Sequence, residues 1–180
     1  MPKTIEVEIR ALLSNAEYRR VKTFLKKRAR FLGSHRDQNA YFDREGRLRI
    51  SVEPYSAFLK YKGGRIHAKA REEILVPIRK RDIKKAEMLF ERLGFPVVVR
   101  WSRWREKFIW RGATVTLDST KGYGRMIDVE AMATPRQTRQ TYEKLRKLMA
   151  ALGLQPTPAS KIKVHYEHYL RTWRQHYPGR

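Results

Sequence analysis

Apolar and charged residues alternate without a break along Ile5-Glu6-Val7-Glu8-Ile9-Arg10-Ala11. In a β-strand successive side chains point to opposite faces, so Ile5, Val7, Ile9 and Ala11 share one face and the charged trio shares the other. The same split recurs down the chain. Arg47 and Arg49 oppose Leu48 and Ile50, and Lys60 and Lys62 lie with Phe58 against Leu59 and Tyr61. Arg71 points with Glu73, Arg103 with Arg105 and Lys107, and Asp128 with Glu130 against Ile127 and Val129. Each apolar face must be buried against something, which requires covering elements on one side of a sheet. The charged faces sort by sign: acids fall on the first and last strands, paired bases on those between. A curved or closed sheet would gather them around one cavity, an acidic patch beside a basic wall, which is the chemistry of a metal-bound phosphoanhydride.

Helical signals punctuate the strands. Ser14-x-x-Glu17 has capping-box spacing, and Tyr18, Val21, Leu25, Ala29 and Leu32 follow at helical intervals up to Gly33. A second helix is predicted after Asp82, with Ile83, Ala86, Phe90 and Leu93 on one side and Gly94 beyond its end. Thr134-Pro135-x-Gln137 opens a third, and a fourth starts after Ser160 and runs past Trp173. Between them lie strand candidates at 38–43, 46–53, 57–63, 70–78, 96–101, 103–111, 113–119 and 125–132. Turn chemistry such as Gly63-Gly64 and Arg111-Gly112 separates them, which favours successive antiparallel hairpins. The expected class is antiparallel α+β.

Composition narrows the partner. With 41 Lys and Arg against 18 Asp and Glu in 180 residues, the net charge is +23, a field that concentrates polyanions. No apolar run reaches the roughly 20 residues that span a bilayer, and no apolar leader precedes the first strand, so no membrane partner and a cytoplasmic location are expected. The absence of cysteine excludes disulfides and thiolate metal sites. Monomer and homodimer stay equally open.

Read in order, Glu6-x-Glu8-x-Arg10, Gln38-Asn39-Ala40-Tyr41-Phe42-Asp43, Gly46-Arg47-Leu48-Arg49-Ile50, Leu59-Lys60-Tyr61-Lys62-Gly63, Arg71-Glu72-Glu73, Leu117-Asp118, Gly122-Tyr123-Gly124-Arg125, Ile127-Asp128-Val129-Glu130 and Ser160-Lys161 resemble the triphosphate tunnel metalloenzymes, the superfamily that carries the CYTH domain. The resemblance spans almost the whole chain. It implies one domain over residues 1–180, with a core from about 4 to 170, built as an eight-stranded antiparallel β-barrel tunnel flanked by helices. It also implies a metal-dependent triphosphatase acting on tripolyphosphate, a nucleoside triphosphate or thiamine triphosphate, with a class IV adenylyl cyclase as the alternative. A non-catalytic polyphosphate or RNA binder is a third reading.

Carried over residue by residue, the resemblance assigns Mg²⁺ or Mn²⁺ to Glu6, Glu8 and Glu130, with Asp128 and Asp118 beside them. Phosphates fall to Arg47, Arg49, Lys62, Arg105, Lys107, Arg125 and Lys161, joined by Lys60 on the Lys62 face, and Glu73 positions them. Glu6, Glu8, Arg10 and Glu130 form the expected catalytic set. Two departures stand out. Arg10 replaces the usual lysine and stays protonated, so base work passes to a carboxylate or to the metal. Leu75 stands where many relatives place a second acid.

Other features have plainer readings. The run Arg19–Arg30 carries seven bases and no acid, the pattern of a solvated helix face or of a landing surface for RNA or polyphosphate. Tyr166, Tyr169, Trp173 and Tyr177 are expected to pack on the barrel. His165 and His168 are poor candidates for a hard cation.

Overall fold

A computed structural model of the protein describes residues 5–43, 47–63 and 73–177. Eight antiparallel strands form one sheet: β1 (Ile5–Leu13), β2 (Arg30–Tyr41), β3 (Leu48–Val52), β4 (Ala57–Lys62), β5 (Glu73–Ile78), β6 (Val99–Trp110), β7 (Ala113–Thr120) and β8 (Gly124–Ala133). Four helices flank it: α1 (Asn15–Arg28), α2 (Ile83–Arg92), α3 (Thr138–Ala151) and α4 (Ala159–His176). The spatial order is β1-β8-β7-β6-β2-β3-β4-β5.

The alternation of the sequence becomes the two faces of this sheet. On the convex face Val7, Ile9, Phe108, Trp110, Val115, Leu117, Ile127 and Val129 pack with Tyr18, Val21 and Leu25 of α1 and Leu145, Leu148 and Met149 of α3. Farther round, Ala40 and Ile50 pack with Phe90 of α2. The concave face is charged except at one end. There Val99, Trp101, Tyr123 and Met126 meet Tyr169 and Trp173, so the aromatic stripe of α4 caps the cavity as expected.

The sheet is curled into a half-barrel. In a flat sheet, β1 and β4 would stand six strands apart, roughly 29 Å at ~4.8 Å per strand. Yet Lys62 Nζ on β4 lies 3.5 Å from Glu6 Oε1 on β1. The expected closed tunnel is thus a curled sheet, with no ladder between β5 and β1 among the described residues. The free edge of β1 is covered instead by residue 157: Thr157 N–H donates to the Arg10 carbonyl and Leu12 N–H to Thr157 Oγ1, both at 2.9 Å.

Two elements depart from the predicted ones. The capping box of α1 is present, Glu17 N–H donating to Ser14 Oγ and Ser14 N–H to Glu17 Oε2. The helix nevertheless stops at Arg28 rather than at Gly33. Arg30 pairs with Ile109 and Phe31 with Phe108, and a bulge follows before Gly33. Cross-strand pairing along β6 outweighs a helical periodicity that would have left those backbone groups to water. In addition, the two candidates at 96–101 and 103–111 fuse into the single strand β6, paired throughout with β2.

Candidate functional site

Strand register decides which charged side chains meet. Residues directly opposite in an antiparallel ladder share a face, and β1 and β8 bring Glu8 opposite Glu130 and Arg10 opposite Asp128. Glu6 stands two residues toward the chain start on the same face. Arg105 lies opposite Asp118, and Lys107 opposite Thr116. On the far side Arg49 pairs with Lys60, and Lys62 stands opposite Glu73. The concave wall thus carries the expected acids at one side and the expected bases around it.

Below them lies a layer that neutralises itself. Arg103 Nε donates to both oxygens of Asp37, at 2.8 and 3.0 Å, and Arg103 Nη1 lies 3.3 Å from Asp118. Arg105 binds Asp118 through two parallel bonds, Nε to Oδ1 at 2.8 Å and Nη2 to Oδ2 at 2.6 Å. Arg10 is shared, its Nε donating to Glu8 at 2.6 Å and to Asp128 at 3.0 Å. Three guanidinium groups therefore face three buried aspartates, Asp37, Asp118 and Asp128. Burial opposes the charge of Asp118, but Arg103 and Arg105 outweigh it and hold its carboxyl below the usual range. Asp128 fares differently. Burial pushes its carboxyl up to about 7, and the Arg10 guanidinium, shared with Glu8, does not offset it against the nearby charges of Glu8 and Asp118.

Several expected site residues lie in this layer. Asp118 and Asp128, expected beside a metal, are ion-paired to arginines. Arg105, expected on phosphate, is spent on Asp118. Arg10 is held by carboxylates rather than free to clamp a substrate, and although burial works against its charge, Asp128 and Glu8 raise its pKa well above the ordinary arginine value. Asp37 was missed altogether. The signal was there, since Asp37, Asn39 and Tyr41 alternate, but the strand was expected to begin at 38.

Arg125, expected on phosphate, stands outside the cavity. It lies opposite Leu13 and Ser119 on the convex face, its guanidinium stacked on the Tyr18 ring at 4.6 Å beneath α1. Lys161 is exposed on the first turn of α4. Arg71 lies outside the described residues. Leu75 stands opposite Lys60, whose ammonium is 3.9 Å from Glu53 instead. Arg47 precedes β3, where the carboxylate of Asp43 accepts from the N–H groups of Arg47 and Leu48 at 2.8 and 2.7 Å and secures the turn. His165 contacts the Tyr123 carbonyl at the capped end, away from Glu6 and Glu8.

Above the neutral layer the acids of β1 and β8 are left in mutual repulsion. Burial, then Glu6, then Glu8 raise the pKa of Glu130. A group of carboxylates in which one resists ionising is what a hard divalent cation relieves, so Glu6, Glu8 and Glu130 fit Mg²⁺ or Mn²⁺ in chemistry. Among the described residues no three His, Asp or Glu side chains already converge as a cage. Glu8 is instead turned to Arg10, and Glu6 to Lys62.

A groove of about 480 Å³ on the opposite side, lined by Lys84, Glu87, Met88, Pro96 and Arg100, has its main charges satisfied by the bidentate Arg100–Glu87 pair at 2.8 Å.

A curled antiparallel sheet with an apolar outside under helices and a charged inside defines a class of half-barrel proteins. Within that class, the chain belongs to the CYTH domain family, which it matches over residues 4–164. The fold is similar to that of the PH1819 protein from Pyrococcus horikoshii OT3, at 28% identity and a TM-score of 0.69, covering 84% of this chain and 92% of that one. The PH1012 protein from the same organism aligns with a TM-score of 0.70 at 21% identity, covering 88% and 98%. HpAC1 from Hippeastrum, described as having a dominant triphosphatase activity, aligns with a TM-score of 0.64 at 19% identity, covering 92% and 96%. No curated protein matches the chain. Among the described residues no helix is long and apolar enough to cross a membrane.

Proposed function

We propose that the protein is a metal-dependent triphosphatase that hydrolyses a terminal phosphoanhydride of tripolyphosphate, a nucleoside triphosphate or thiamine triphosphate on its concave face. The observation that carries this reading is the gathering of Glu6, Glu8 and Glu130 on one concave wall with Lys62, Lys60, Arg49 and Lys107. Lys and Arg on that wall bind the phosphate oxygens, the guanidinium of Arg49 fixing orientation as well as charge. When bound, Mg²⁺ or Mn²⁺ at Glu6, Glu8 and Glu130 supplies neutralisation of charge on the transferring phosphate.

The chain's own residues do the rest. Binding of the polyanion draws Lys62 away from Glu6, because a triphosphate carries more charge than one carboxylate. Taking the proton of the attacking water falls to a carboxylate of this wall rather than to Arg10, which stays protonated. Asp128 holds Arg10, and Arg10 holds Glu8 in position.

Purified protein given tripolyphosphate, ATP or thiamine triphosphate with Mg²⁺, Mn²⁺ or EDTA should release phosphate only with metal. Glu6→Gln and Glu130→Gln should each abolish release. Cyclic AMP as the main product from ATP would replace this reading with the cyclase. No metal-dependent product from any substrate would refute both.

A further inference from the structure

The run of bases after Glu17 is only partly explained by the fold. Lys22 is spent on the buried Glu106 of the convex face, at 2.7 Å, and Arg20 donates to the Leu152 carbonyl at 2.7 Å. Lys27, Arg28 and Arg30 are exposed, with no ion pair among the described residues. They do not form one solvated helix face, because α1 ends at Arg28 and Arg30 opens β2.

Tertiary structure adds bases from elsewhere. Trp110 receives Phe24 of α1 edge-on at 5.4 Å and the guanidinium of Arg111 at 5.0 Å, so the turn after β6 adjoins the end of α1. Lys144 of α3 has its ammonium 3.5 Å from where a side chain on Gly112 would begin. Arg111 is held at φ 49° and Gly112 at φ 74° in the two-residue turn between β6 and β7. A first turn position of positive φ favours Asn, Asp or Gly. An arginine there accepts backbone strain in order to present a cation.

Exposed rings lie among these cations. Phe31 is 50% exposed and Phe24 is 37% exposed. Phe31 rests on Phe108 at 5.2 Å and Phe24 on Trp110. Phe108 and Trp110 are two residues apart on one face of β6, so the rings on which Phe31 and Phe24 rest are neighbours, roughly 7 Å apart along the strand. A purely electrostatic surface for inorganic polyphosphate has no use for aromatic faces, whereas single-stranded nucleic acid stacks its bases on them while ammonium and guanidinium groups track its phosphates.

We infer that the end of α1, the start of β2 and the β6–β7 turn form a binding surface for single-stranded nucleic acid, with Phe31 and Phe24 as stacking platforms and Arg28 and Arg111 as phosphate contacts. It lies on the convex side of the sheet and is independent of the reading given to the concave face.

The test is fluorescence anisotropy with a labelled 12-nucleotide oligouridylate, competed by polyphosphate of matched length and by phosphatidylserine vesicles. Wild type should bind with affinity that falls steeply with salt. Phe31→Ala should weaken binding roughly tenfold, while Phe31→Tyr, which keeps the ring, should bind as wild type. Arg28→Gln with Arg111→Gln should reduce the salt slope by about 1.4, two single-strand phosphate contacts being lost. The inference is overturned by no binding at 50 mM salt, by Phe31→Ala binding as wild type, or by Phe31→Tyr binding as weakly as Phe31→Ala. Polyphosphate or vesicles displacing the oligonucleotide at equal phosphate concentration would also overturn it.

Discussion

Replacing Asp37 with Asn tests whether the layer beneath the cavity is held by charge balance. Arg103 donates both bonds of its Nε to Asp37 and keeps a longer contact, 3.3 Å, to Asp118. The two side chains are only 14% and 6% exposed. Asn preserves the shape and one acceptor but leaves three guanidinium groups facing two aspartates in an enclosed layer. Removing one partner of a buried pair costs about 3–5 kcal/mol, and the retained acceptor and Asp118 put this case near the lower end, about 3 kcal/mol. At ~2–4 °C per kcal/mol for a chain of this size, the melting temperature should fall by about 6–12 °C. Circular dichroism melts of the metal-free protein would measure it. The double variant Asp37→Asn with Arg103→Met removes the orphaned charge and should recover most of the loss. An Asp37→Asn protein melting within about 2 °C of wild type, or a double variant no better than the single one, would refute the reasoning.

Three further outcomes follow from the same geometry. Asp128 is pushed up to about 7 against an ordinary value of 3.8, so the stability contributed by its neutral form is present at low pH and lost as pH rises through 7. In EDTA, wild type should therefore lose melting temperature relative to Asp128→Asn between pH 5 and 8, and parallel profiles would contradict this. Arg125→Ala should cost about 1 kcal/mol through its lost stacking on Tyr18 while leaving the KM for tripolyphosphate unchanged; a raised KM would return Arg125 to the substrate. Gly122, at φ 81°, has no room for a Cβ, which would overlap the His176 ring. Gly122→Ala should destabilise by about 1–2 kcal/mol from backbone conformation alone and further from the overlap, and His176→Ala in the same chain should recover only the second part.

Much of the fold was legible because parity is a local property of the chain. Ile5, Val7 and Ile9 against Glu6, Glu8 and Arg10 read the same in the sequence and in β1, since alternate side chains face opposite ways whatever the strand's neighbours. The CYTH resemblance supplied the order of elements, and the capping signals at Ser14 and Thr134 stand where helical structure begins. Parity even contained the correction for Arg125, which shares its face with Ile127 and Val129; the resemblance pointed it the other way. The end of α1 was not legible, because Phe31 is drawn into β2 by Phe108, a residue that local periodicity does not see.

The sequence by itself determined that each strand has an apolar face and a charged one, that acids and bases fall on different strands, and that the chain carries a net charge of +23. Only the tertiary structure decided which charges neutralise one another. Arg10 and Asp128 are 118 residues apart, and Arg103 and Asp37 are 66 apart. Their meeting depends on strand order and on the curl that brings Lys62 to Glu6. An ion pair is made by distance in space, and distance in space belongs to the curled shape of the sheet rather than to any one strand.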